Sequence, residues 1–131
     1  MRIDKALLDS LTEAAKESPR LRMNYDLRTT HEDSSQRMLN ALEPGTVVPI
    51  HRHTKSTETV VMLRGRGVQY IYNDAGEVID KVLLEAGGEC SMMSVEVGVW
   101  HRLESLESGT VIFEAKDGAF APIGAEDILN K

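Results

Sequence analysis

Apolar residues at Ile3, Leu7, Leu8, Leu11 and Ala14/Ala15 recur at helical spacing, which predicts an amphipathic helix over residues 3–17. Ser18-Pro19 ends it, because the residue before a proline is biased out of the α region. From Leu21 the period changes to two. Leu21, Met23, Tyr25 and Leu27 alternate with Arg22, Asn24, Asp26 and Arg28, the pattern of a strand with one apolar and one polar face. Further strands are expected at residues 36–42, 47–53, 58–63, 68–72, 78–84, 90–95, 99–103 and 110–116. Turn chemistry separates them at Glu43-Pro44-Gly45, Asn73-Asp74-Ala75-Gly76, Ala86-Gly87-Gly88 and Glu96-Val97-Gly98. A helical turn is expected over residues 125–129. One helix followed by many short strands is the signature of a small antiparallel sandwich or barrel, so residues 1–18 read as the helix and 19–131 as one β-barrel domain.

Composition narrows this picture without changing it. The 131 residues, 41% hydrophobic, suffice for one core. The formal charge of −6 argues against nucleic acid as a partner, since phosphate backbones are bound by clustered cations. Residues 1–16 lack the apolar run of a signal peptide or membrane span, so a cytoplasmic protein with no membrane contact is expected. The single cysteine, Cys90, excludes an internal disulfide and is expected to be a small buried apolar residue.

The chemistry concentrates between Gly45 and Gly65. His51 and His53 share a strand face, so both imidazoles can aim inward while Arg52 points out. If residues 54–57 turn into an adjacent antiparallel strand, Glu58 returns beside them, with Val60 and Met62 at the same parity. His101 opens a late strand and is the candidate for a fourth ligand. Three imidazoles and a carboxylate suit one divalent transition metal ion: zinc, iron, manganese, nickel, cobalt or copper. His31 lies in a polar loop and is expected to be solvated, Trp100 to pack on the outside of the barrel, and Met92-Met93 to join the core.

The spacing Gly45-x5-His51-x-His53-x4-Glu58-x6-Gly65 resembles the first motif of the cupin superfamily, and Gly98-x2-His101 resembles the core of the second. The usual proline and asparagine of that second motif are Glu96 and Ser105 here. A wider resemblance, carried by Ser18-Pro19-Arg20, residues 37–46, Leu63-Arg64-Gly65-Arg66, Trp100-His101 and residues 113–118, is to the WbuC-type family of small single-domain cupin metalloproteins. It implies a double-stranded β-helix (jelly-roll barrel) with a central metal, a homodimer, and an association with polysaccharide biosynthesis. Arg20, Arg22 and Asn24 fall within the resemblance and are candidates for a substrate pocket together with Arg37, Val60 and Met62. Asn40, Arg64, Glu114 and Lys116 follow on the same logic, Glu114 doubling as a candidate general base.

The expected function is a metal-dependent enzyme acting on a small carbohydrate-like ligand that chelates the ion, with isomerase or epimerase chemistry. A dioxygenase, or a binding module that senses a small ligand without turnover, are the alternatives.

Overall fold

The computed structural model describes residues 1–129; positions 130 and 131, the end of the expected barrel span, lie outside the described residues. Helix α1 (Lys5–Glu17) begins where the Asp4 side chain accepts from the Leu7 amide. It ends at Ser18, whose N–H donates to the Ala14 and Ala15 carbonyls. Leu21 then adopts a left-handed backbone, φ 56°, which reverses the chain into the first strand.

Among the described residues ten strands follow: β1 (Arg22–Asp26), β2 (Ser35–Leu42), β3 (Ile50–His51), β4 (Glu58–Arg64), β5 (Arg66–Tyr72), β6 (Val78–Glu85), β7 (Met92–Val95), β8 (Trp100–Ser105), β9 (Thr110–Asp117) and β10 (Ile128–Leu129). They form two antiparallel five-stranded sheets, ordered β1-β2-β9-β4-β7 and β10-β3-β8-β5-β6. From β3 onward the chain changes sheet at every connection except the β5–β6 hairpin, which is the winding of a jelly roll.

That winding corrects one expectation. β3 and β4 are not neighbours: β3 pairs with β8 and β10, whereas β4 pairs with β7 and β9. Residues 54–57 therefore carry the chain between sheets, and Glu58 faces the histidines from across the barrel. Residues 125–129 are also only partly helical, with a 3-10 turn at Ala125–Asp127 running into β10. Met92, expected in the core, sits on edge strand β7 and is 52% exposed. Cys90 is half-buried against apolar neighbours, and His31 is exposed as expected.

Two apolar clusters hold the fold. Between the sheets, Leu42, Val60, Met62, Leu84, Leu103 and Ile112 form a floor across one end of the barrel. On the outer face of the first sheet, Leu11 and Ala15 of α1 pack on Leu39, Ala41 and Val111, each fully buried large side chain being worth about 1.5–3 kcal/mol. Arg64 fastens this helix: Nη1 donates to Asp9 (2.6 Å), Nη2 to the Thr12 hydroxyl (2.8 Å) and Nε to the Gly109 carbonyl (2.8 Å). Among the described residues no helix is long and apolar enough to cross a membrane.

Candidate metal centre

Above the apolar floor the inward-facing rows turn polar. Along β9 they read Ile112, Glu114, Lys116; along β4, Met62, Val60, Glu58; along β2, Leu42, Asn40, Met38, Gln36. These rows wall a cavity of about 200 Å³. His51, His53 and His101 enter it from the second sheet, with His51 directly opposite His101 in the β3–β8 pair.

One ligand atom from each histidine lies within 4.8 Å of those of the other two. The backbone orients two of the rings. His51 Nδ1 donates to the Pro49 carbonyl and His101 Nδ1 to the Val99 carbonyl, both at 2.9 Å, because a carbonyl can only accept. In its neutral form each of these rings presents an Nε2 lone pair to the cavity, the arrangement found around ligating histidines. His53 follows β3, and its carbonyl is anchored by the Gly98 amide at 2.8 Å. Between them, Arg52 points outward onto Trp100, 4.4 Å from the ring centroid, and donates to Asp127. Trp100 is thus an outer packing residue, as its parity predicts.

Burial, with the neighbouring His101 second, pushes the His51 imidazole down to about 4, so it is neutral at ordinary pH. Glu58 places one carboxylate oxygen 3.1 Å from His53 Nε2 and the other 3.5 Å from His101 Nε2. Neither contact has hydrogen-bond alignment, and both ring nitrogens are buried without a partner. Burial alone would raise the Glu58 carboxyl, but His101, His53 and Lys116, whose Nζ is 3.2 Å away, hold it well below the usual carboxylate range. A carboxylate kept ionised beside three clustered imidazoles is a donor set that fits a divalent transition metal.

Glu114 is the second buried carboxyl of the cavity. Burial and then the nearby Glu58 charge push it up to about 7, while Asn40 Nδ2 lies 3.5 Å from its Oε1.

Of the other sequence candidates, Arg22, Asn24, Asn40, Val60, Glu114 and Lys116 line the cavity. Met62 points inward but belongs to the floor. Arg20 is exposed in the turn before β1. Arg37 stands at the opposite parity of β2 and bonds Asp33 (2.8 Å), and Arg64 is committed to α1. Sequence reasoning missed Gln69, 1% exposed on β5 and paired with Leu103. A polar residue on the inner parity of a strand between Val68 and Tyr70 was the available signal. It also missed Gln36 and Met38, which share the parity of Asn40, and Phe120 and Ile123, which lie outside any regular strand.

A family model described as a domain of unknown function, DUF6016, matches residues 3–84. The chain belongs to the DUF6016 family. The matched span includes His51, His53 and Glu58, while His101 lies beyond it. No curated protein matches this DUF6016 chain in sequence. Among solved structures it is similar to the capsular polysaccharide assembling protein CapF from Staphylococcus aureus, at 20% identity and a TM-score of 0.69, covering 86% of this chain and 32% of that one. It is similar to an oxalate oxidase in complex with the substrate analogue glycolate, at 14% identity and a TM-score of 0.66, covering 82% of this chain and 56% of that one. KdgF from Halomonas sp. gives 12% identity and a TM-score of 0.61, covering 78% of this chain and 83% of that one. The chain thus spans about a third of CapF and just over half of the oxalate oxidase. At such identities the likeness shows the fold, and the fold is the cupin jelly roll.

Proposed function

We propose that this protein is a metal-dependent cupin of the WbuC type that acts on a small, oxygen-rich, carbohydrate-like molecule by isomerase or epimerase chemistry. One observation carries the metal: two ring nitrogens, His53 Nε2 and His101 Nε2, are buried without a partner and aimed into a cavity shared with His51. His51, His53 and His101 hold the ion, and Glu58 from the facing sheet completes the set. When bound, a divalent ion supplies Lewis-acid stabilisation of negative charge developing on a substrate oxygen.

The chain's own residues divide the remaining work. Val60, Leu103 and Ile112 close the base of the cavity and exclude water beneath the substrate. Gln69 offers its amide N–H to a substrate oxygen. Glu114, poised near neutrality, takes a proton at its carboxylate from a carbon next to a carbonyl and returns it, which is the step an isomerase or epimerase requires. Lys116 keeps Glu58 ionised and so keeps that carboxylate from competing for the proton.

The test is elemental analysis of purified wild type, His51→Ala and His101→Ala, followed by turnover of metal-loaded wild type on free and nucleotide-linked sugars. The expected result is near-stoichiometric metal in the wild type and loss of most of it in both variants, with the barrel still folded. Unchanged metal content in the variants refutes the ligand assignment; absence of turnover at full occupancy refutes the enzymatic reading.

A further inference from the structure

The histidines occupy one end of the cavity. Arg22 and Asn24 on β1 also line it, and Arg22 is level with Leu42 and Thr110, at the opposite end of the rows from Glu58 and Lys116. Arg22 is the cation there with no hydrogen bond or ion pair from its side chain, although it lies near enough to the buried Glu114 for their charges to interact. It is half-buried on an edge strand, and its Nε is shut off from solvent without a hydrogen-bond partner. Lys116, another cation on the same wall, is already paired with Glu58.

Two further groups lining the cavity are unsatisfied, Asn40 Oδ1 on β2 and, from the facing sheet, Gln69 Nε2 on β5, in side chains only 5% and 1% exposed. Buried polar groups in folded proteins have partners, so three orphans around one cavity, two from the first sheet and one from the second, describe the ligand that fills it. A cation asks for an acid, an amide N–H for an oxygen acceptor, and an amide oxygen for a hydroxyl. Arg22 on β1 and Glu58 on β4 are separated by three strand spacings across the same sheet, about 14 Å, and by six residues along it, about 20 Å, because Arg22 is level with Leu42 and Glu58 with Lys116 and Gln36. The acidic group and the metal-chelating oxygens therefore belong to different ends of one molecule.

We infer that the ligand is a polyhydroxylated anion bound lengthwise, with neighbouring oxygens toward His51, His53 and His101, hydroxyls on Gln69 and Asn40, and a single acidic group on Arg22. This deepens the metal-centre reading and rests on it. Carboxylate and phosphate share the chemistry that Arg22 recognises.

Isothermal titration of Co(II)-loaded protein with gluconate, glucitol 6-phosphate and glucitol separates the possibilities, since the three share one polyol chain. At least one acid is expected to bind tenfold or more tightly than glucitol, and the acid that does so identifies the group. Arg22→Gln is expected to abolish that advantage while leaving Co(II) and glucitol affinities unchanged, and Arg22→Lys to restore part of it. Glucitol binding as tightly as both acids, or an acid advantage that survives Arg22→Gln, overturns the inference while the metal centre stands. Failure of the wild type to bind Co(II) removes the metal-centre reading and this inference with it.

Discussion

Gly65 and Gly98 bound the two motifs, and both have left-handed backbones, φ +81° and +83°. Their surroundings differ. A Cβ at Gly65 would lie 2.8 Å from the Thr110 Cα, a backbone atom that cannot step aside. Thr110 is fully buried, and its hydroxyl donates to the Glu107 carbonyl at 2.8 Å. A Cβ at Gly98 meets nothing within 4 Å. Gly98→Ala is therefore charged only for conformation, about 1–2 kcal/mol. Gly65→Ala adds overpacking of about 1–3 kcal/mol, for a total of about 2–5 kcal/mol. Urea unfolding of the metal-free proteins in EDTA, comparing midpoints at unchanged slope, measures the difference directly. Equal losses for the two variants would refute the argument that close approach of β9 is what reserves position 65 for glycine.

Other outcomes follow from the packing and the charges. Leu39→Ala empties a side chain that is fully buried under α1 and is expected to cost about 2–5 kcal/mol by urea unfolding while metal affinity stays unchanged, because that face looks away from the cavity. In metal-free protein, His51 stays neutral down to about pH 4 while the unfolded chain takes up its proton near pH 6.5. More protons are thus bound by the unfolded state across that window, and stability falls by about 3 kcal/mol as pH drops through it. His51→Asn should lose this slope in thermal or urea unfolding followed across pH; an unchanged slope would show that His51 is not the group held neutral. Glu114 has the opposite sign: its folded value of about 7 lies above the ordinary 4.5, so the folded state holds the proton longer and stability is lost as pH rises through that window. Glu114→Gln should gain on metal-free wild type by about 3 kcal/mol between pH 4.5 and pH 8, and a constant difference would refute the raised value.

The sequence carried the elements and their faces better than their partners. Alternation along residues 21–28 and 58–63 reports which side chains share a face, and His51, His53 and Glu58 do face one cavity. Alternation is silent about which sheet a strand joins, and a connection as short as residues 54–57 suits either a hairpin or a crossing. That is why Glu58 was expected beside the histidines and is found opposite them. The same silence misplaced Arg37: the end of β2 is buried on both faces, by the floor on one and by α1 on the other, so parity alone does not say which face is the interior. Phe120 and Ile123 carry no periodic signal at all, since they reach the cavity from a segment without strand pairing.

The step along β9 from Ile112 through Glu114 to Lys116 has a consequence for how such a chain can change. Along β2, β4 and β9 the apolar residues that secure the fold lie at one end of the inward row, and the polar residues of the cavity lie toward the other. Replacements at positions 36, 40 or 114 alter what the vessel accepts without touching the base that keeps it closed. A lineage can therefore exchange one substrate for another by editing the rim alone, and an engineer can do the same.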